Sequence, residues 1–154
     1  MMMDSYEINQ LTLALIPISK NVSKVIEMDQ VFTVNKSTTE IVDESCKYFG
    51  SSYQGRFEGT KKLIGVNYKS PIIIEESREI IFFPTSSPRF DNCSWISLNN
   101  IEEYKKDTLN PTIYFSNGET LSVDISYGSL ENQVLRAIKL GSILRKRKLS
   151  EKIS

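Results

Sequence analysis

Short apolar runs separated by polar turns occupy most of the chain, and one long stretch of helical periodicity closes it. Leu11-Thr12-Leu13-Ala14-Leu15-Ile16-Pro17 and Val31-Phe32-Thr33-Val34 have the alternation and branched content of strands, and Thr38 to Val42 predicts a third. Asp43 then caps a helical turn through Tyr48, which Gly50 ends. Between Ser51 and Leu63 the glycines at 55 and 59 make a continuous helix marginal, so a short helix or loop is expected. Ile72-Ile73-Ile74 and Ile80-Ile81-Phe82-Phe83 predict buried strands. The second stops at Pro84, whose ring removes a ladder donor. After the rigid Pro84-Thr85-Ser86-Ser87-Pro88 segment, Trp95-Ile96-Ser97-Leu98 restarts a strand.

The clearest hairpin signal is Thr112 to Val123, and its register can be argued. A two-residue loop at Asn117-Gly118 would set Ile113 against Ser122 and Phe115 against Thr120, mixing apolar and polar residues on one face. A three-residue loop, with Gly118 left-handed, sets Ile113 against Leu121 and brings Phe115 to the same face, so this register is expected. A final helix starts near Ser129, with Glu131 in its first turn. Leu130, Val134, Ala137, Ile138, Gly141 and Leu144 form its apolar stripe, and Arg136, Lys139, Lys146 and Arg147 fall on the other side. The sum is an α+β fold: a mainly antiparallel sheet with a few helices, including a C-terminal amphipathic helix. One domain over residues 1–154 is expected, with 148–154 as a disordered tail.

Composition adds exclusions. With 40% hydrophobic and 25% charged residues over 154 positions, the chain has the make-up of a single globular domain. No apolar run nears the roughly 20 residues of a membrane helix, and Met1 to Gln10 carries Asp4 and Glu7 without a basic lead, so a cytoplasmic protein without membrane association is expected. Cys46 and Cys93 are then reduced thiols, too few for a four-ligand zinc site. Histidine is absent, which removes Ser-His-Asp and Cys-His chemistry and most zinc catalysis, so no metal, no cofactor and no catalytic residue are expected.

The net charge of zero conceals segregated blocks. Residues 1–44 hold three cations against seven acids, 45–72 five against one, 73–131 four against ten, and 132–154 seven against one. A neutral chain so divided can turn a positive face to a polyanion and an acidic face elsewhere. The segment from Ser45 to Gly65 concentrates this: Lys47, Arg56, Lys61 and Lys62 stand against Glu58 among glycines, hydroxyls and aromatic rings. Gly50 and Gly55 have the spacing of a phosphate-binding loop, but Arg56-Phe57 follows where Lys and Ser/Thr are needed for the terminal phosphate and magnesium. Glu75-Glu76 and Glu102-Glu103 diverge on a strand and read as solvated surface. A polyanion uses more of these residues, through phosphate contacts from the cations and hydroxyls and close backbone approach at Gly55 and Gly59. Arg56 suits a narrow, strongly negative minor groove. About half of Tyr48, Phe49, Tyr53 and Phe57 are expected in the core.

Motifs along the whole chain resemble the bacterial competence transcription factors, the ComK-like proteins. They run from Ile41-Val42-Asp43 and Ser45-Cys46 through Phe49-Gly50-Ser51-Ser52-Tyr53, Gly55-Arg56, Gly59-Thr60 and Lys69-Ser70-Pro71-Ile72. Phe83-Pro84-Thr85, Trp95-Ile96-Ser97, Phe115-Ser116-Asn117-Gly118, Ile125-Ser126-Tyr127 and Glu131-Asn132-Gln133-Val134 continue them in order. The resemblance implies a DNA-binding activator of genes for DNA uptake, including its own, that recognises paired AT-rich boxes through the minor groove. It also implies homodimers assembling in pairs on double-stranded DNA, with RNA polymerase as a partner. On this reading Lys47, Arg56, Lys61 and Lys62 contact DNA with support from Ser51, Ser52 and Tyr53, and Lys69, Arg136 and Lys139 form a second surface. Longer members continue beyond the last helix, so the alternative is a short paralogue that modulates a full-length relative through mixed oligomers or DNA competition without activation.

Overall fold

The computed structural model describes residues 2–153. Among them the chain forms β1 (Met2–Met3), β2 (Thr12–Ser19), β3 (Val22–Glu27), β4 (Val31–Val34), α1 (Thr38–Tyr48), α2 (Tyr53–Ile64), β5 (Ile72–Glu75), β6 (Ile80–Pro84), β7 (Trp95–Ser97), β8 (Ile101–Lys105), β9 (Thr112–Phe115), β10 (Thr120–Ser122) and α3 (Tyr127–Ile153). Seven strands make one sheet in the order β1-β4-β3-β2-β7-β6-β5, antiparallel except where β1 joins β4, and β10-β9-β8 make a second, antiparallel sheet. The fold is α+β and mainly antiparallel, as the hydropathy pattern predicts.

The apolar runs in β5 and β6 are continuous because both faces of the large sheet are covered. Side chains alternate between faces. Ile72, Ile74, Ile80 and Phe82 join Leu15, Val25 and Trp95 in a core under Ile41, Val42 and Cys46 of α1, with Tyr53 and Phe57 of α2 packed against it. Ile73, Ile81 and Phe83 join Ala14 and Ile96 in a second core under Leu130, Val134, Ala137, Leu140 and Leu144 of α3, with Ile113 and Phe115 of the small sheet. Burial of a ring such as Phe82 or Phe83 stabilises the fold by about 1.5–3 kcal/mol. In the β9–β10 hairpin Leu121 lies opposite Ile113 and Gly118 is left-handed at φ 90°, the expected register and loop.

Three local expectations are corrected. Thr38 to Val42 is the first turn of α1, not a strand, and Ser37 rather than Asp43 is the cap. The Ser37 hydroxyl accepts the Glu40 N–H, and the Glu40 carboxylate accepts the Ser37 N–H, each at 3.1 Å. This reciprocal box outweighs the strand preference of the branched residues that follow. The second correction is α2, one unbroken helix through Gly55 and Gly59. Ser52 caps it, and the buried Thr60 hydroxyl ties it to the Pro71 carbonyl at 2.7 Å, while packing of Tyr53 and Phe57 offsets the cost of the glycines. The third is α3, which begins at Tyr127, where the Ser126 hydroxyl accepts the Ser129 N–H. Leu140 fills the stripe position assigned to Ile138, which is exposed. Of the expected tail 148–154, the helix covers positions through Ile153, and Ser154 lies outside the described residues.

Candidate functional site

Helix α2 separates two open clefts. Residues three and four apart share a helix face, so Gln54, Phe57 and Lys61 follow one another along one side of α2, and Arg56 points to the other. The start of α2 is fixed by neighbours. Ser52 Oγ accepts the Gly55 N–H at 2.9 Å, and the Asp43 carboxylate accepts the Tyr53 N–H at 2.9 Å while pairing with Lys47 at 3.0 Å. Burial alone would raise the Asp43 carboxyl, but the Tyr53 amide and Lys47 outweigh it and hold the pKa below the usual carboxylate range. A carboxylate therefore occupies the place at this helix N-terminus that a phosphate would take, which removes the remaining geometric support for a phosphate-binding loop.

The first cleft, of about 450 Å³, lies between α2, the loop before β5 and the turn between β6 and β7. Tyr53, Gln54, Phe57, Tyr68, Lys69 and Arg89 line it, with Thr39, Asn67, Ser87 and Pro88. It carries two cations and no acid, and among the described residues neither Lys69 nor Arg89 is in an ion pair. Tyr53 forms the floor, edge-on to Trp95 and stacked against Phe57 with centroids 6.1 and 6.2 Å away, and burial pushes its hydroxyl up to about 12.

The far wall of this cleft is held by α3. The Gln133 amide donates to the Lys69 carbonyl at 2.9 Å and to the Pro84 carbonyl at 2.7 Å, and the Arg136 guanidinium donates to the Tyr68 carbonyl at 3.1 Å. Lys69 sits in left-handed backbone at φ 49°, uncommon for a lysine, with its ammonium 5.4 Å from the Tyr68 centroid. Arg89 extends over Phe90 at 6.0 Å. Cations held against exposed rings beside an acid-free depression suit an anionic ligand.

The second cleft, of about 560 Å³, is lined by Phe49, Arg56, Glu75, Glu76, Ser77 and Lys148. Burial opposes ionisation of Glu75, but the Ser77 hydroxyl and Arg78 outweigh it and keep the carboxyl below its ordinary range. Lys148 donates to the Glu76 carbonyl at 2.7 Å. Arg56 is half-buried, and its Nε is enclosed without a hydrogen-bond partner among the described residues. Two cations here face two acids.

Of the residues singled out from the sequence, Tyr53 and Lys69 line the first cleft, Lys61 is exposed one turn along the same face of α2, and Arg136 braces its wall. Ser51 lies beside the cap, Ser52 is the cap, and Lys47 is paired. Arg56 faces the second cleft, and Lys62 and Lys139 are exposed away from both linings. Sequence reasoning missed Gln54, Asn67, Tyr68 and Arg89. The signal available for the last was a cation adjoining a ring in Pro88-Arg89-Phe90, directly after a turn-forming Ser-Ser-Pro.

Both thiols are enclosed. Burial pushes Cys46 up to about 12 against the pull of Arg56, and Cys93 up to about 11, so neither serves as a nucleophile near neutral pH. Among the described residues no helix is long and apolar enough to cross a membrane.

A protein of Bacillus subtilis (strain 168), described as a competence transcription factor, is 44% identical over 138 residues, covering 87% of this chain and 72% of that protein. No solved structure matches the chain. The family model described as ComK protein matches residues 3–149, which include every residue lining either cleft. The chain belongs to the ComK protein family.

Proposed function

We propose that this chain is a competence transcription regulator that acts in the cytoplasm by binding AT-rich duplex DNA, without catalysis, and that the first cleft and its rim are the contact surface. The observation that carries the reading is the acid-free lining of that cleft, with Lys69 and Arg89 unpaired and Lys61 and Arg136 beside it. Membership of the ComK family supports the nucleic-acid partner. Phosphate neutralisation by these four cations supplies affinity, and Gln54, Asn67 and Tyr68 lie between them to meet sugar and base edges. Minor-groove reading accords with cations left free of acids, because a narrow AT-rich minor groove has an enhanced negative potential that attracts them. Two copies on one DNA face would read paired boxes, with RNA polymerase as the next partner. Lys47, Ser51, Ser52 and Arg56 hold α2 in place on this reading and Lys62 and Lys139 lie outside the contact, which narrows the contact set.

A titrated gel shift on duplexes with and without spaced A- and T-runs tests it. At 0.15 M salt one phosphate contact contributes roughly fivefold through counterion release, so the Lys69→Ala, Arg89→Ala double variant loses roughly 25- to 30-fold in affinity. The slope of log affinity against log salt flattens by about 1.8. A minor-groove ligand such as netropsin should displace the wild type. Equal weak binding to both duplexes, indifferent to the two substitutions, overturns the assignment.

A further inference from the structure

The turn that delivers Arg89 to the cleft also displays Phe90, a large ring left 58% exposed and outside the cleft lining. Single exposed rings are ordinary on protein surfaces, but this one stands on an unusually well-fixed support. Pro88 occupies the second position of the turn, which the Phe90 N–H closes on the Ser87 carbonyl at 3.0 Å. The Thr39 hydroxyl of α1 donates to the Pro88 carbonyl at 3.3 Å, and the Thr38 hydroxyl to the Cys93 carbonyl at 2.6 Å. The Thr85 N–H reaches the Ser94 carbonyl at 2.9 Å, and the Ser94 N–H returns to the Thr85 hydroxyl at 3.2 Å. Both ends of the loop are thereby tied to the sheet and to α1, so the ring is presented rather than loose.

Its surroundings are cationic on one side and charge-balanced on the other. Arg89 lies over the ring, and a shallow depression beside it is lined by Lys20 from the β2–β3 turn, with Ser37, Glu40 and Asp91 also present. Across Arg89 lies the first cleft with Lys69 and the exposed Tyr68. An exposed apolar ring held on a hydrogen-bonded turn beside an acid-free pair of cations is an arrangement suited to prising apart adjacent stacked base pairs. The cations hold the duplex while the ring replaces the lost stacking.

We infer that Phe90 is a wedge that inserts between adjacent base pairs of the bound duplex, opening the step and bending the DNA while Arg89 and Lys69 grip the phosphates beside it. The inference rests on the duplex-binding reading given above. It adds that recognition includes deformation, with flexible pyrimidine–purine steps inside an AT-rich site favoured because they open most readily.

The test uses the whole chain and an AT-rich duplex carrying 2-aminopurine in place of adenine at each step in turn, with donor and acceptor dyes on the ends of a parallel duplex. The wild type should raise 2-aminopurine fluorescence severalfold at one step and bring the ends closer. Phe90→Ala should bind about tenfold more weakly, keep the salt slope, and abolish both signals; Phe90→Trp should restore them. Undiminished unstacking by Phe90→Ala overturns the wedge. So does tight binding by the wild type with no unstacking at any step, which leaves the duplex-binding reading intact. Failure of the wild type to bind the duplex overturns both. Loss of self-association in Phe90→Ala, seen by sedimentation with the 2-aminopurine signal unchanged, would instead assign the ring to a contact between protein copies and overturn the wedge.

Discussion

The two clefts flanking α2 hold the same number of cations in comparable volumes, and they differ in what surrounds those cations. In the first, Lys69 and Arg89 have no acid among the lining residues. In the second, Arg56 and Lys148 face Glu75 and Glu76, and Lys148 is already spent on a carbonyl. Attraction for a polyanion depends on charge left uncompensated within about a Debye length, roughly 8 Å at physiological salt. A cation facing its own carboxylates adds little to that field. The contrast separates residues that the sequence places together: Arg56 and Lys61 lie five positions apart on one helix, yet they stand on sides whose clefts differ in charge balance.

The largest expected effect breaks the contrast from the favourable side. Lys69→Glu with Arg89→Glu gives the first cleft the acids it lacks, and affinity for an AT-rich duplex should fall at least 100-fold, since repulsion is added to the lost release of roughly two counterions. The same reversal at Lys148 should cost less than threefold. Circular dichroism melting should leave both variants folded, because Lys69, Arg89 and Lys148 make no ion pair among the described residues. Comparable losses from the two clefts would remove the distinction.

A smaller effect is expected at Arg56. Its enclosed Nε lacks a partner among the described residues, so that N–H carries a desolvation cost, and Phe49 lines the same cleft. Arg56→Met keeps the stem volume and discards the orphaned donor. Chemical denaturation should show stability unchanged or raised by up to about 1 kcal/mol, with duplex affinity within twofold of wild type. A tenfold loss of affinity would return Arg56 to the DNA surface and require that it swing out of the cleft.

These expectations mark what the sequence could and could not disclose. The continuous apolar runs of β5 and β6, the β9–β10 register and most of the α3 stripe were legible because each is set by local pattern, with one left-handed glycine fixing the hairpin. The start of α1 was not, because Thr38, Thr39, Ile41 and Val42 favour a strand and only the Ser37–Glu40 pairing reveals the cap. In the site, Lys69 was legible as a cation in a basic block. Arg89 was hidden in an acidic block, and nothing local shows that the β6–β7 connection folds back against α1 to meet the loop before β5. Counting charge by segment measures neighbours along the chain, whereas the cleft is assembled from elements tens of residues apart.

The last effect concerns the wall between the clefts. Asp43 anchors the first residue of α2 through the Tyr53 N–H and carries a depressed pKa. A carboxyl whose folded pKa lies below its unfolded value contributes stability above the unfolded pKa, near 4, and that contribution is lost as pH falls through the folded pKa. Asp43→Ala should therefore cost about 1 kcal/mol at pH 7, the scale of a lost capping interaction at a partly exposed site. That gap between variant and wild type should narrow as the medium is acidified below pH 4, where the wild-type carboxylate is neutralised. Asp43→Asn retains an oxygen acceptor for the Tyr53 amide and gives up only the charge, so it should fall between the two, with a flatter acid limb in urea midpoints measured across pH 2–7. Because the anchored residue is Tyr53, whose ring floors the first cleft, a displaced α2 should also soften that wall. Duplex affinity in Asp43→Ala is accordingly expected to drop two- to threefold with the salt slope unchanged, since geometry is disturbed while no cation in the first cleft is removed.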